Sequence, residues 1–153
     1  LYFNANDVSI EICPLLKPIM QKISSFAAGV IIDYGYFTPK GADSLQAVKD
    51  HQYHNVLENP GEADLTAHVN FGRLAEVAAQ AGLQVHGIAE QGAFLQRIGG
   101  EIWLHKLLMS ATPNKQKELQ EGWLRLASPA QMGSLFKVMA LTPQPCELAG
   151  LRS

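Results

Sequence analysis

The run Gly29-Val30-Ile31-Ile32-Asp33-Tyr34-Gly35-Tyr36 constrains the fold more than any other stretch. Four small or apolar residues lead straight into a carboxylate, and two tyrosines straddle a glycine. An unbroken apolar run of that length, with two isoleucines, predicts a strand buried on both faces of a parallel sheet. Ligands of open α/β sheets sit just past the carboxyl ends of such strands. Asp33, Tyr34 and Tyr36 are therefore expected at a ligand-facing edge.

The flanking sequence supplies the rest of an α/β unit. Val8 to Cys13 alternates apolar and polar, a strand pattern with one wet face. Pro14 fits a first helical turn, and Leu15, Leu16, Ile19, Met20, Ile23 and Phe26 then fall on one helical stripe. Residues 37–69 read as an irregular polar loop punctuated by Pro39, Gly41, Pro60 and Gly61, with a short extended piece at 44–48. Loops longer than about 15 residues inside a compact domain usually carry function or are disordered. Asn70 is an N-cap for a helix with Phe71, Leu74, Val77 and Ala78 on one face, and Gly82 is its stop. A strand follows from Leu83 to Ile88, ending in Glu90-Gln91-Gly92. Helical segments are expected at 93–98 and 102–109, broken at Gly99-Gly100. The next helix starts at Thr112-Pro113 and buries Leu119, Trp123 and Leu126. Leu135 to Leu141 reads as a last strand, and 143–153 as a loose tail.

Helix, strand, long loop, helix, strand, helical insertion at 93–127 and strand is the order of the later half of a doubly wound sheet. No Gly-x-Gly-x-x-Gly turn and no Walker-type loop is present. A nucleotide-type fold without that turn is expected to be incomplete. Leu1-Tyr2-Phe3-Asn4-Ala5 resembles the remnant of a protease-cleavable tag, so residues 1–5 are set aside and the domain is taken as 6–142.

Composition closes off several classes. A formal net charge of −2 gives no basic excess, which argues against a nucleic-acid or anionic-membrane partner. No apolar stretch approaches the roughly 20 residues of a membrane helix. The two cysteines, Cys13 and Cys146, lack metal-type spacing and read as small buried side chains in a reducing compartment. His51 and His54 would make a metal pair only on a helix with a third ligand, and none is evident, so no metal is expected.

Several separated motifs carry a resemblance. They are Ile31 to Tyr36, Ser44 to Val48 with His51, Pro60 to Phe71, Gln91 to Leu95, and Met132 to Leu141. In this order and approximate spacing the chain resembles the MidA-like S-adenosylmethionine-dependent methyltransferases. Mitochondrial members of that family assist respiratory complex I assembly by methylating arginine. The resemblance covers roughly residues 8–142 and implies the carboxyl-terminal half of a Rossmann-like class I methyltransferase sheet with a helical insertion. Asn70 stands where the family usually has Asp. The Gly-rich cofactor turn belongs to the family's amino-terminal half, so the cofactor S-adenosylmethionine is implied for a full-length protein and is not expected to bind this segment tightly. The resemblance also implies a protein substrate, and a location in the cytoplasm of a bacterium or the mitochondrial matrix of a eukaryote.

Methyl transfer from a sulfonium is a direct displacement that depends on holding donor and acceptor in line. A guanidinium acceptor is held best by carboxylates, with cation–π help from aromatic rings. Asp33, Tyr34, Tyr36 and His68 are the expected catalytic residues on that basis. Gly35, His51, Asp64, Thr66, Glu90 and Gln91 are the expected substrate-binding residues. Each has a structural alternative. In the structural reading Asp33 caps a turn while the tyrosines pack. Asp64, Thr66 and His68 then pin the long loop, and Glu90 and Gln91 cap the helix beginning at Ala93. Trp103 and Trp123 read as core. The rival reading for the whole chain is a non-catalytic assembly module whose 93–127 helices present a partner surface, marked by a large exposed apolar patch. An exposed sheet edge in a partial sheet predicts self-association into a homo-oligomer.

Overall fold

The computed structural model describes residues 16–25, 28–38 and 44–151. The tag-like start, the strand expected at Val8 to Cys13, and Leu15 and Phe26 of the first helical stripe lie outside the described residues. In chain order the elements are α1 (Leu16–Ser24), β1 (Gly29–Tyr36), β2 (Leu45–Lys49), β3 (Gln52–His54), β4 (Asp64–Ala67), β5 (Val69–Asn70) and α2 (Phe71–Gln80). Then come β6 (Gln84–Glu90), α3 (Gln91–Arg97), α4 (Gly100–Ser110), α5 (Pro113–Ala127), α6 (Met132–Leu135) and β7 (Phe136–Thr142). Strands β5-β1-β7-β6 form one sheet and β3-β2-β4 a second, smaller one.

In the larger sheet β7 runs antiparallel to both neighbours, so β1 and β6 are parallel to each other with β7 inserted between them. Direct parallel pairing of β1 is confined to its last two residues, Gly35 with Val69 and Tyr36 with Asn70. One face of the sheet, with Met139 and Leu141, packs on Met20, Phe71, Val77, Ala78 and Leu83 from α1, α2 and the turn after α2. On the other face, Val138 and Ala140 meet Phe94 of α3 together with Leu148 and Leu151.

This arrangement corrects the expectation for β1. The strand covered on both faces is β7, whose Val138 to Leu141 are all at most 1% exposed. On β1 only one face is covered: Ile31 packs into the core, while Val30 is 61% and Ile32 50% exposed. The physical reason is placement of the cover. Helices α1 and α2 lie over one face, and α3 with the carboxyl-terminal segment reaches only β6 and β7 on the other.

The stretch 37–69 is also more regular than its composition suggests. β2 pairs antiparallel with both β3 and β4. The β2–β3 hairpin turns through Asp50 and His51, both at positive φ (52° and 61°), as tight hairpin turns matched to strand twist require. An Asp-His pair lacks the glycine that usually announces such a turn, so the hairpin was not legible. Asn70 caps α2 as expected, its Oδ1 accepting from the Arg73 backbone N–H at 3.0 Å. The segment after β7 is not loose as far as Leu151, which is buried against Val138 and Ala140. Cys146 is exposed rather than buried. Trp123 packs against Gly100 as expected of a core residue, but Trp103 is 64% exposed and Leu126 is also exposed. No helix among the described residues is long and apolar enough to cross a membrane.

Candidate active site at the end of strand β1

Strand β1 continues through Tyr36, so Asp33, Tyr34, Gly35 and Tyr36 form its last half rather than a loop beyond it. Successive strand residues point to opposite faces. Asp33 therefore cannot share one pocket wall with Tyr34 and Tyr36, as the sequence suggested. Instead, two groups form, one on each face.

The first group is a charged row. The register pairs Asp33 with Lys137, and Lys137 in turn with Glu90, across β1, β7 and β6. Directly paired residues share a face with Cα atoms about 4.5–5.5 Å apart. Two acidic residues thus stand on either side of one lysine in the register. Asp33 Oδ1 accepts from the Tyr34 backbone N–H at 2.8 Å, and Glu90 Oε2 accepts from the Ser134 hydroxyl at 2.8 Å. The Lys137 ammonium donates to the Ser134 carbonyl, turning it toward α6. Both carboxylates keep further acceptor capacity.

Aromatic rings make up the second group. Tyr34 meets His68 edge-on at 5.4 Å between ring centroids and Phe136 edge-on at 5.7 Å. His68 arrives there because β5 joins the end of β1, with Gly35 buried at the crossing. Tyr36, opposite Asn70, closes the strand on the same face as Tyr34.

The other expected residues divide. Asp64 and Thr66 lie on β4, and His68, in the link between β4 and β5, carries the chain from the small sheet to Tyr34. His51 sits in the hairpin turn, at the other end of β2 from the Leu45–Ala67 pair that leads to His68. At about 3.3 Å per residue that separation exceeds 13 Å, so the fold does not bring His51 to the group. His51 and His54 are not on a helix, which removes the metal-pair geometry. Gln91 is buried, and its amide donates to the Leu126 carbonyl at 2.9 Å, tying α3 to the end of α5. Glu90 ends β6 and makes no capping bond to α3. Sequence reasoning did not single out Lys137, Ser134 or Phe136 as site residues. The signal was a lone lysine amid the apolar run of β7.

A cradle for a nucleotide-like cofactor needs glycines whose missing Cβ leaves room for the ligand. Among the described residues, the closely approached glycines have that room filled by the chain itself. Phe71 and the Val69 carbonyl fill it at Gly35, the Phe37 carbonyl at Gly72, and the Ala127 carbonyl at Gly92 and Gly133. These glycines therefore offer no cradle for the S-adenosyl group.

An antiparallel β7 slotted between parallel β1 and β6, with helices on both sides, defines a mixed, Rossmann-like α/β sheet. Residues 3–89 match the family described as "Putative S-adenosyl-L-methionine-dependent methyltransferase", and the chain belongs to that family. It is 45% identical over 116 residues to the mitochondrial protein arginine methyltransferase NDUFAF7 homolog of Drosophila melanogaster, covering 74% of this chain and 26% of that protein. It is 38% identical over 140 residues to the mitochondrial protein arginine methyltransferase NDUFAF7 of Rattus norvegicus, covering 88% of this chain and 32% of the relative. The chain thus spans about a quarter to a third of the length of these relatives. Among solved structures, it is similar to a Burkholderia thailandensis protein described as a "likely methyl transferase" and bound to S-adenosyl-homocysteine. That similarity has a TM-score of 0.69 at 25% identity, over 90% of this chain and 36% of the other. The mixed α/β architecture and the family agree with the resemblance read from the motifs.

Proposed function

We propose that this chain forms the acceptor side of an S-adenosylmethionine-dependent protein arginine methyltransferase. The observation that carries this reading is the row Asp33–Lys137–Glu90, two acidic residues on either side of one lysine, at the end of the strand where such sheets bind ligands. The row retains one net negative charge. A guanidinium is planar, weakly hydrated and delocalised, and it pairs with carboxylates through parallel N–H donors. Asp33 and Glu90 hold such a group. The Tyr34–His68–Phe136 cluster on the other face walls the strand end and limits water. When bound, the cofactor supplies the methyl group as a sulfonium. The work of these residues is to hold and orient the acceptor, which is where much of the acceleration in a direct displacement originates. The relatives named above are mitochondrial protein arginine methyltransferases, which supports a protein acceptor. On the same reading the protein works in the mitochondrial matrix of a eukaryote or in the cytoplasm of a bacterium.

The test is a chimera in which this chain replaces the matching segment of the rat relative, assayed by transfer of labelled methyl groups to arginine peptides. Asp33→Asn and Glu90→Gln are each expected to lower kcat/KM about 10- to 100-fold, the effect of losing a charged hydrogen bond. A folded chimera that binds S-adenosyl-homocysteine yet methylates equally well with both substitutions would sink the reading.

One observation favours a second role. Helix α4 leaves Ile102, Trp103, Leu107 and Met109 exposed along its outer side. An apolar surface of this kind on the insertion suits a protein-binding, assembly-type function alongside or instead of catalysis. A Trp103→Ser chimera that loses a protein partner while keeping methyl transfer would assign that face to binding.

A further inference from the structure

Both faces of the small sheet reach solvent. On one side Ala47 is only 1% exposed and Lys49 binds Glu62 at 2.7 Å, while Leu45 and Leu65 in the same phase are 47% and 62% exposed. The residues that share the other side, open to solvent at Tyr53 and Asp64, follow from the register. Val48 is paired with Tyr53 on one flank and Asp64 on the other, and Gln46 is paired with Thr66 in the next row. Tyr53 is 83% exposed, and Asp64 is exposed as well.

We propose that this open face is a docking surface for an extended, arginine-bearing segment of the acceptor polypeptide; the inference rests on the methyltransferase reading above. Tyr53 and Asp64 stand two strand spacings apart, about 10 Å, with the low side chain of Val48 between them. A guanidinium lying over Val48 meets an aromatic ring on one side and a carboxylate on the other, the two contacts that suit its flat, delocalised charge. Charge complementarity points the same way. From Leu45 to Asn70 the chain carries Asp50, Glu58, Glu62 and Asp64 against a single cation, Lys49, which is engaged by Glu62. Such a surface attracts basic polypeptide and repels phosphate-rich partners. The direction of the track follows the chain. Asp64 and Thr66 share one phase on β4, and His68, in the link directly after β4, touches Tyr34, so a segment laid along β4 leads toward the end of β1.

Fluorescence anisotropy with this chain tests the proposal, using a labelled dodecapeptide of alternating arginine and valine and a glutamate–valine counterpart. Saturable binding of the arginine peptide is expected, weakening with added salt and falling about tenfold in the Tyr53→Ser, Asp64→Asn double variant. Circular dichroism of the variant should match the parent, because both side chains are exposed. Asp64→Lys provides an independent check and should shift preference toward the glutamate peptide. Absence of saturable binding, equal binding of the two peptides, or parent-like binding by both variants overturns the proposal. The chimera assay separates its failure from that of the methyltransferase reading. Docking without any methyl transfer would remove the enzymatic reading and leave the surface. Methyl transfer with an acceptor KM insensitive to both variants would remove the surface and leave the enzyme.

Discussion

A Cβ on Gly35 would stand 2.2 Å from the Val69 carbonyl oxygen and 2.9 Å from two carbons of the Phe71 ring. Neither neighbour can retreat easily, since Val69 is held in the parallel pairing of β5 with β1 and Phe71 is fully buried. Gly35→Ala should therefore cost about 2–4 kcal/mol, in the range of overpacking with a backbone shift, read as a lower urea midpoint at unchanged slope. Unchanged stability would mean that β5 can move away from β1 and that His68 is not firmly held against Tyr34. Gln91 acts at a similar scale but for another reason. Its buried amide satisfies the Leu126 carbonyl, so Gln91→Ala leaves that acceptor without its partner, at a cost of about 1–3 kcal/mol. Faster hydrogen exchange at the carboxyl end of α5 is the measurement that distinguishes this from a uniform loss. The sequence located the residue types at the end of β1 but not their grouping. Asp33 joins Lys137 and Glu90 only because two strands distant in sequence set the register.

Element by element, the apolar runs were legible and their surroundings less so. β1 was correctly read as a strand from its composition, but its cover depends on which helices reach it. β7 carries an equally dense run and is the one enclosed on both faces. The hairpin at Asp50-His51 and the strand β4 escaped detection because their turn lacks glycine and their strands are short and polar. Along Gly29 to Tyr34, β1 pairs with β7 on one side, and no described strand pairs with the other. Together with exposed Val30 and Ile32 this makes an open, apolar edge, the feature that promotes pairing between copies. The chain is expected to self-associate, giving a light-scattering mass above 16.7 kDa. Val30→Lys with Ile32→Lys should return it to that mass, because charge on an edge strand opposes pairing. A parent chain that is already monomeric at high concentration would show that this edge is not adhesive.

At the scale of the whole molecule, acceptor chemistry and cofactor chemistry separate. The described residues bring carboxylates and aromatic rings to the end of β1, yet at each closely approached glycine in or beside the sheet the space is filled by the chain's own backbone or side chains. Binding a nucleoside such as S-adenosyl-homocysteine requires backbone N–H groups presented at a glycine turn, with a neighbouring carboxylate for the ribose hydroxyls. Relatives roughly three times as long as this chain have room for those elements outside the matched segment. Isothermal titration of this chain with S-adenosyl-homocysteine should accordingly show no saturation below roughly millimolar ligand, equivalent to a binding free energy weaker than about −4 kcal/mol. The chimera with the rat relative should restore binding, while Asp33→Asn and Glu90→Gln in that chimera should leave cofactor affinity within about twofold, as expected of groups that face the acceptor. Micromolar binding by the chain alone would mean that residues described here do cradle the cofactor, and the carboxylate row would then have to be reassigned from acceptor to ribose.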